Sequence, residues 1–230
     1  MFQSNWDKPL CQKKLERLLD DTPNYTEKSR ILACSSEAAS AFLNALPLAN
    51  CGLRLSDTEF PIICSLRIGS TLCHPHTCFC GKTVESNGRH GLSCEKQIGR
   101  HSRHSEANFL IKRALAQINI PSMLEPSNLL GVEGLTPDGI THFPYKQGKC
   151  LTWDYTCVDT LCDSYVRDTA KEAEKAAKLA ETKKHNKHRD LKDNYLFTPI
   201  AIETFGSFGP ESLRFIKEVG KKIQENTGIK

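Results

Sequence analysis

From residue 100 onward the apolar positions fall into regular runs. Asn108 to Gln117 carries Phe109, Leu110, Ala114 and Leu115 at helical spacing, and Pro121 ends that segment. Three short strand-like stretches follow, at Ser122–Pro126, Leu135–Phe143 and Cys150–Val158. The last two are joined across Phe143-Pro144-Tyr145-Lys146-Gln147-Gly148, which reads as a hairpin turn. A long helix is expected over about Ala170–Leu191, then a strand at Leu196–Ile202. A closing helix covers Pro210–Glu225, with Pro210 near its first turn. The order α-β-β-β-α-β-α, with a crossover helix returning to a parallel strand, predicts an α/β fold with an open sheet covered on both faces.

The first part of the chain is less regular. Lys14–Leu19 and Glu37–Leu43 have helical character, the second ended by Pro47. Nothing in residues 1–72 resembles a catalytic group, so this stretch reads as a helical linker segment. Residues 73–99 form a Cys/His-rich module, and residues 100–230 form the α/β domain.

Composition fits an ordinary soluble protein with one good core and a small satellite: 230 residues, 39% hydrophobic and 25% charged. The net charge of +4 is unevenly placed. Lys96–Arg113 holds five basic residues against one acid, and Arg167–Lys192 holds nine against five. Concentrated positive charge suits a polyanionic partner such as DNA or RNA; a solvated helix face is the competing explanation for the second stretch. No apolar run approaches ~20 residues, so no membrane span is expected. The N-terminus lacks the apolar core of a signal peptide, which suggests an intracellular chain. Eleven cysteines, five of them isolated at 11, 34, 51, 64 and 150, argue against a secreted disulfide scaffold.

One cysteine group has metal-ligand spacing. Cys78 and Cys80 precede Gly81, and His90 and Cys94 follow at a four-residue offset. Two ligands from each of two tight turns suit tetrahedral zinc, with Cys73, His74 and His76 as substitutes. Four protein ligands leave no position for water, so this zinc is expected to be structural. Arg100, Arg103 and His104 come immediately after and are placed to meet phosphates without reading sequence.

The second constellation is acidic. Asp138, in Pro137-Asp138-Gly139, and Asp154, in Trp153-Asp154-Tyr155, fall on the two strands flanking the hairpin. Facing carboxylates repel unless a cation lies between them, and a divalent metal there can activate water against a phosphodiester. Nucleases of the PD-(D/E)xK type carry such an acid, one intervening residue and then a lysine. Here Thr156 stands at the lysine position. A substitute is sought on the long helix, where Ala173, Ala176, Ala177, Ala180, Lys184, Lys187 and Leu191 share one stripe. Lys184 would lie ~21 Å along a helix beginning near Ala170, which counts against it. Glu125 is a candidate third ligand; Glu203 is another, more simply read as a cap.

Taken together, several motifs resemble a known family. They are Cys78, Cys80 and Gly81; Gly88, His90, Gly91, Leu92, Ser93 and Cys94; Arg103-His104; Glu125-Pro126; Pro137-Asp138-Gly139; Leu151, Trp153, Asp154 and Thr156; and Glu203, Thr204 and Gly206. From about Asn44 to the end, the chain resembles the C-terminal region of reverse-transcriptase proteins from non-LTR retrotransposons, with a zinc knuckle followed by a restriction-like endonuclease. The resemblance implies a restriction-endonuclease-like α-β-β-β-α-β core and an Mg²⁺- or Mn²⁺-dependent enzyme that nicks target DNA, acting in the nucleus. Asp138 and Asp154 match the family's acidic positions, and its lysine maps to Lys184 or Lys187. No polymerase domain precedes the cluster, so a fragment, a relic or a domesticated gene product is expected. A non-catalytic nucleic-acid-binding protein is the alternative.

Overall fold

The computed structural model describes residues 3–49, 52–97, 99–127, 129 and 136–228, with side chains from residue 6. The chain is mixed α/β and divides into two compact units. The units interleave along the sequence. Met1–Cys94 is joined by Asp159–Lys175 and Thr204–Ser207, and the other unit comprises Glu95–Val158, Ala176–Glu203 and Phe208–Lys230. This differs from the three consecutive segments expected.

The first unit contains α1 (Gln3–Asp20), α2 (Tyr25–Ser35), α3 (Glu37–Ser40), α4 (Glu59–Ile68), the two-residue strands β1 (His76–Thr77) and β2 (Thr83–Val84), and α5 (His90–Ser93). Its core joins Ala33 to Leu161 and Phe205. Buried hydroxyls tie the distant segment in: Thr169 Oγ1 donates to Ser29 Oγ at 3.0 Å, and Ser29 Oγ donates to Val166 O at 3.0 Å. That packing draws residues 159–175 away from the domain the sequence assigned them to.

The second unit is built on α6 (Gly99–Gln117), β3 (Ser122–Leu124), β4 (Gly139–Lys146), β5 (Lys149–Val158), most of α8 (Lys175–Lys187), β6 (Leu196–Glu203) and α9 (Pro210–Thr227). The sheet order is β3-β4-β5-β6, with β5 and β6 parallel and the other pairs antiparallel. Leu151, Trp153 and Tyr155 alternate along β5 and join Leu115, Ile200, Phe215 and Val219 in the main core. On the other side Ala177 and Ala180 meet Ala201, so small side chains let that helix lie close to β6. A strand buried on both faces reads as a continuous buried run, as Leu151–Tyr155 does.

Three boundaries differ from expectation. The β4–β5 turn is only Gln147-Gly148, both at positive φ (51° and 71°), the two-residue hairpin geometry that suits strand twist. Pro144 is absorbed inside β4 at a register shift, where Leu151 N–H donates instead to Thr141 Oγ1 at 3.0 Å. Strand β4 begins at Gly139 rather than Leu135, which lies outside the described residues. The expected helix over Ala170–Leu191 is three pieces: α7 (Val166–Thr169), α8 (Lys175–Lys187) and a 3-10 turn at Arg189–Leu191. Glu174, at φ 66°, makes the break before α8.

Candidate functional site

In the first unit, β1 and β2 form a small hairpin. Gly81, at φ 86°, turns its N–H back to Cys78 O at 2.8 Å, and Cys78 N–H donates to Lys82 O at 2.9 Å. His90 opens α5 and Cys94 closes it, one turn apart, so both side chains face the hairpin. Sulfurs of Cys78 and Cys94 lie 3.6 Å apart, and Cys80 Sγ lies 3.2 Å from His90 Nε2. All four ligand atoms fall within 4.8 Å of one another. A tetrahedral zinc with bonds of ~2.3 Å sets sulfurs ~3.8 Å apart, so the cage fits that ion. The backbone N–H of Cys80 is the main influence holding the Cys78 thiol below its usual pKa, as a thiolate ligand requires. Two of the three substitutes are occupied elsewhere: Cys73 Sγ meets Glu85 O at 3.4 Å, and His76 Nδ1 meets His74 O at 2.9 Å.

The acidic pair lies in the second unit. Gly139 pairs with Trp153 across β4 and β5, and Asp138, just before β4, donates its N–H to Trp153 O at 2.9 Å, which brings it beside Asp154. Glycine is required at 139 by that register. A Cβ there would stand 2.1 Å from the Trp153 ring.

Asp154 is buried. Lys184 Nζ lies 2.6 Å from its Oδ1, and His188 Nε2 lies 2.6 Å from its Oδ2. Lys187 Nζ stands farther off, 3.7 Å from Oδ2, and is half exposed. Because α8 starts at Lys175, Lys184 is only nine residues along it, or ~14 Å, and reaches the strand. Burial pushes the Asp154 carboxyl up, but hydrogen bonds from His188 and Lys184 outweigh it and the net shift is downward.

Asp138 has the opposite balance. Its Oδ2 accepts the Tyr155 backbone N–H at 2.6 Å and lies 3.1 Å from His104 Nε2. Burial raises its pKa, the charge of Asp154 raises it further, and these donors offset only part of the rise. Two carboxylates of unequal proton affinity therefore lie near enough for the charge of one to act on the other. Hard carboxylate oxygens that repel one another are a donor set suited to Mg²⁺ or Mn²⁺.

The expected cationic residues line a cavity of about 360 Å³. Its wall holds Arg100, His101, Arg103 and His104 from α6, Tyr155, Thr156 and Cys157 from β5, and Lys184 from α8. Because α6 begins at Gly99, well before Asn108, Arg100, Arg103 and His104 stand on one helical face rather than in a turn. Glu125 follows β3 at φ 49°, with its N–H on Asp138 O at 2.8 Å and its side chain exposed. Glu203 is buried and its Oε1 accepts the Ala177 N–H at 3.2 Å, capping the first turn of α8.

Sequence reasoning missed His188 and Asn108. His188 falls four residues after Lys184, a spacing that placed it on the lysine's side of the helix. Asn108 follows His104 by the same interval. No protein-family model matches the chain, and no curated protein matches it.

Proposed function

We propose that this chain is a divalent-metal-dependent DNA endonuclease of the kind found beside a zinc knuckle in non-LTR retrotransposon proteins. One observation carries the reading: the Lys184 ammonium stands 2.6 Å from Asp154, beside which the β4–β5 register brings Asp138. Two carboxylates and a lysine are the side-chain set of the PD-(D/E)xK site. Here the lysine arrives from a helix instead of from position 156.

Asp138 and Asp154 would hold Mg²⁺ or Mn²⁺, which when bound supplies a nucleophilic water and neutralises phosphate charge. Lys184 stabilises the negative charge that develops as the phosphodiester is attacked. Arg100, Arg103 and His104 hold flanking phosphates along α6, and binding of this type weakens with salt and ignores sequence. The Cys78, Cys80, His90 and Cys94 cage keeps its zinc as a structural part.

Nicking of supercoiled DNA with Mg²⁺ or Mn²⁺ tests the reading, wild type beside Asp138→Ala. A second reading is favoured by the state of Asp154, whose two oxygens are already taken by Lys184 and His188. A carboxylate so engaged is what a retained ion pair looks like in a non-catalytic binding protein. Tight DNA binding without nicking in either metal selects that alternative.

A further inference from the structure

Asp138 is held by a side chain whose own hydrogen is dictated from deeper in the core. Trp153 is fully buried, and its indole Nε1–H donates to Asn108 Oδ1 at 3.0 Å. An indole nitrogen can only donate, so this contact fixes which end of the Asn108 amide is oxygen. The amide nitrogen then faces Nδ1 of His104 at 3.2 Å. An amide NH₂ also only donates, so Nδ1 must accept and carries no hydrogen. The hydrogen of the neutral ring is left on Nε2, 3.1 Å from Asp138 Oδ2. The Tyr155 N–H reaches the same oxygen. Two donors on one oxygen fix the plane of the carboxylate, and with it the direction in which its second oxygen faces.

We propose that Trp153, Asn108 and His104 form a hydrogen-bonded relay that locks His104 as the Nε2–H tautomer and makes it a positioning residue that sets Asp138 for a divalent cation. The proposal rests on the metal-site reading of Asp138. Three local features build the relay. His104 and Asn108 are one turn apart on α6, so both point the same way. Trp153 pairs with Gly139, and the missing side chain there leaves room for the indole. His104 also packs edge-on against the ring of Tyr155, 5.6 Å between centroids, which holds its orientation. With its Nδ1 lone pair engaged and its Nε2 already protonated, this imidazole does not serve as the base that takes a proton from water.

Nitrogen-15 NMR of the imidazoles, on the zinc-loaded full chain without Mg²⁺ or Mn²⁺, tests the lock directly. The proposal expects the neutral ring of His104 to carry its hydrogen on Nε2. A neutral ring with its hydrogen on Nδ1 overturns it. Asn108→Leu should release the tautomer preference, and because it also removes the Asn108 hydrogen bond to Asp138 itself, Mn²⁺ affinity, read by electron paramagnetic resonance, should fall by roughly tenfold or more, the usual effect of losing a group that orients a metal ligand. His104 is partly exposed, so its variants serve as a second arm independent of the core. His104→Gln keeps an N–H donor and should hold Mn²⁺ better than His104→Leu; equal affinities would overturn the positioning role. A wild type that shows the Nε2–H tautomer yet binds no Mn²⁺ removes the metal-site reading and that role, and leaves the tautomer lock standing.

Discussion

The Cys/His cage and the acidic site both gather groups that seek charge, and they do it in opposite ways. The cage draws all four ligands from one short stretch, on a two-residue hairpin and a single helical turn. Little apolar burial supports it: Val84 and Cys94 are its buried hydrophobic members. The acidic site takes its groups from α6, the bend before β4, β5, and α8 with the residue just past its end, and sits on a sheet with a full core beneath it. Zinc in the first arrangement would supply folding energy that its few buried side chains do not. The second is assembled by register and ion pairing.

Chelation should break that contrast most visibly. Removing zinc, or substituting Cys94→Ser, should abolish amide protection across residues 73–94 while the strands of the second unit keep theirs. Structural zinc supplies an apparent free energy of order 10 kcal/mol, far more than so small a hairpin can replace. Hydrogen exchange with and without chelator reads the result, and a hairpin that stays protected without metal contradicts it.

Lysine substitution comes next in size. Lys184→Ala should slow nicking by about 10²-fold, a typical loss for one charge-stabilising group. Lys187→Ala should do much less, because its ammonium stands farther from Asp154 and in solvent. Single-turnover rates at saturating metal distinguish them, and equal losses would show that the shorter contact carries no special role.

Glycine substitutions sharpen the comparison in stability. Gly139→Ala drives a methyl into the buried Trp153 ring and should cost about 1–3 kcal/mol or more, by urea unfolding. At Gly81 a Cβ meets nothing within 4 Å, so the expense there is only the left-handed backbone, about 1–2 kcal/mol. One glycine is required by a neighbour and the other by its own dihedral angles.

The smallest expected effect separates the two aspartates. The Asp154 pKa is lowered in the folded state, so its ionised form adds stability above the unfolded value of ~3.9, and this is lost as pH falls through the depressed value. The Asp138 pKa is raised, so its contribution is complete below the unfolded value and is lost as pH rises through the folded one. At neutral pH without metal, Asp154→Asn should destabilise, whereas Asp138→Asn should be neutral or stabilising. Unfolding curves at pH 7 and near pH 3 check the signs, and a matching sign for both variants at pH 7 would mean the two environments are alike.

How far each region could be read from the sequence follows from the same contrast. The cage was legible because its ligands are close in the chain and bonding geometry dictates their spacing. The strand order and the place of Asp154 on β5 were legible because alternation and turn residues are local signals, whereas Asp138, expected on the preceding strand, stands at the bend just before β4. Lys184 and Lys187 shared a recognisable stripe, yet the break at Glu174 was hidden, since a non-glycine residue at positive φ is set by the packing around it. The relay through Trp153 and Asn108 was hidden for the same reason: it joins α6 to β5, and only the folded sheet brings them together. Residues 159–175 continue an α/β pattern in sequence and still pack with α2, because Ser29, Val166 and Thr169 complete one another's hydrogen bonds.

The central claim is that Asp138, Asp154 and Lys184 form a hydrolytic metal site. The most direct test is nicking of supercoiled DNA by zinc-loaded protein in Mg²⁺ or Mn²⁺, with Asp138→Ala alongside. The account predicts metal-dependent nicking by the wild type and its loss in the variant, with DNA binding kept in both. A folded wild type that binds DNA without nicking it in either metal, or nicking that survives Asp138→Ala, would contradict it.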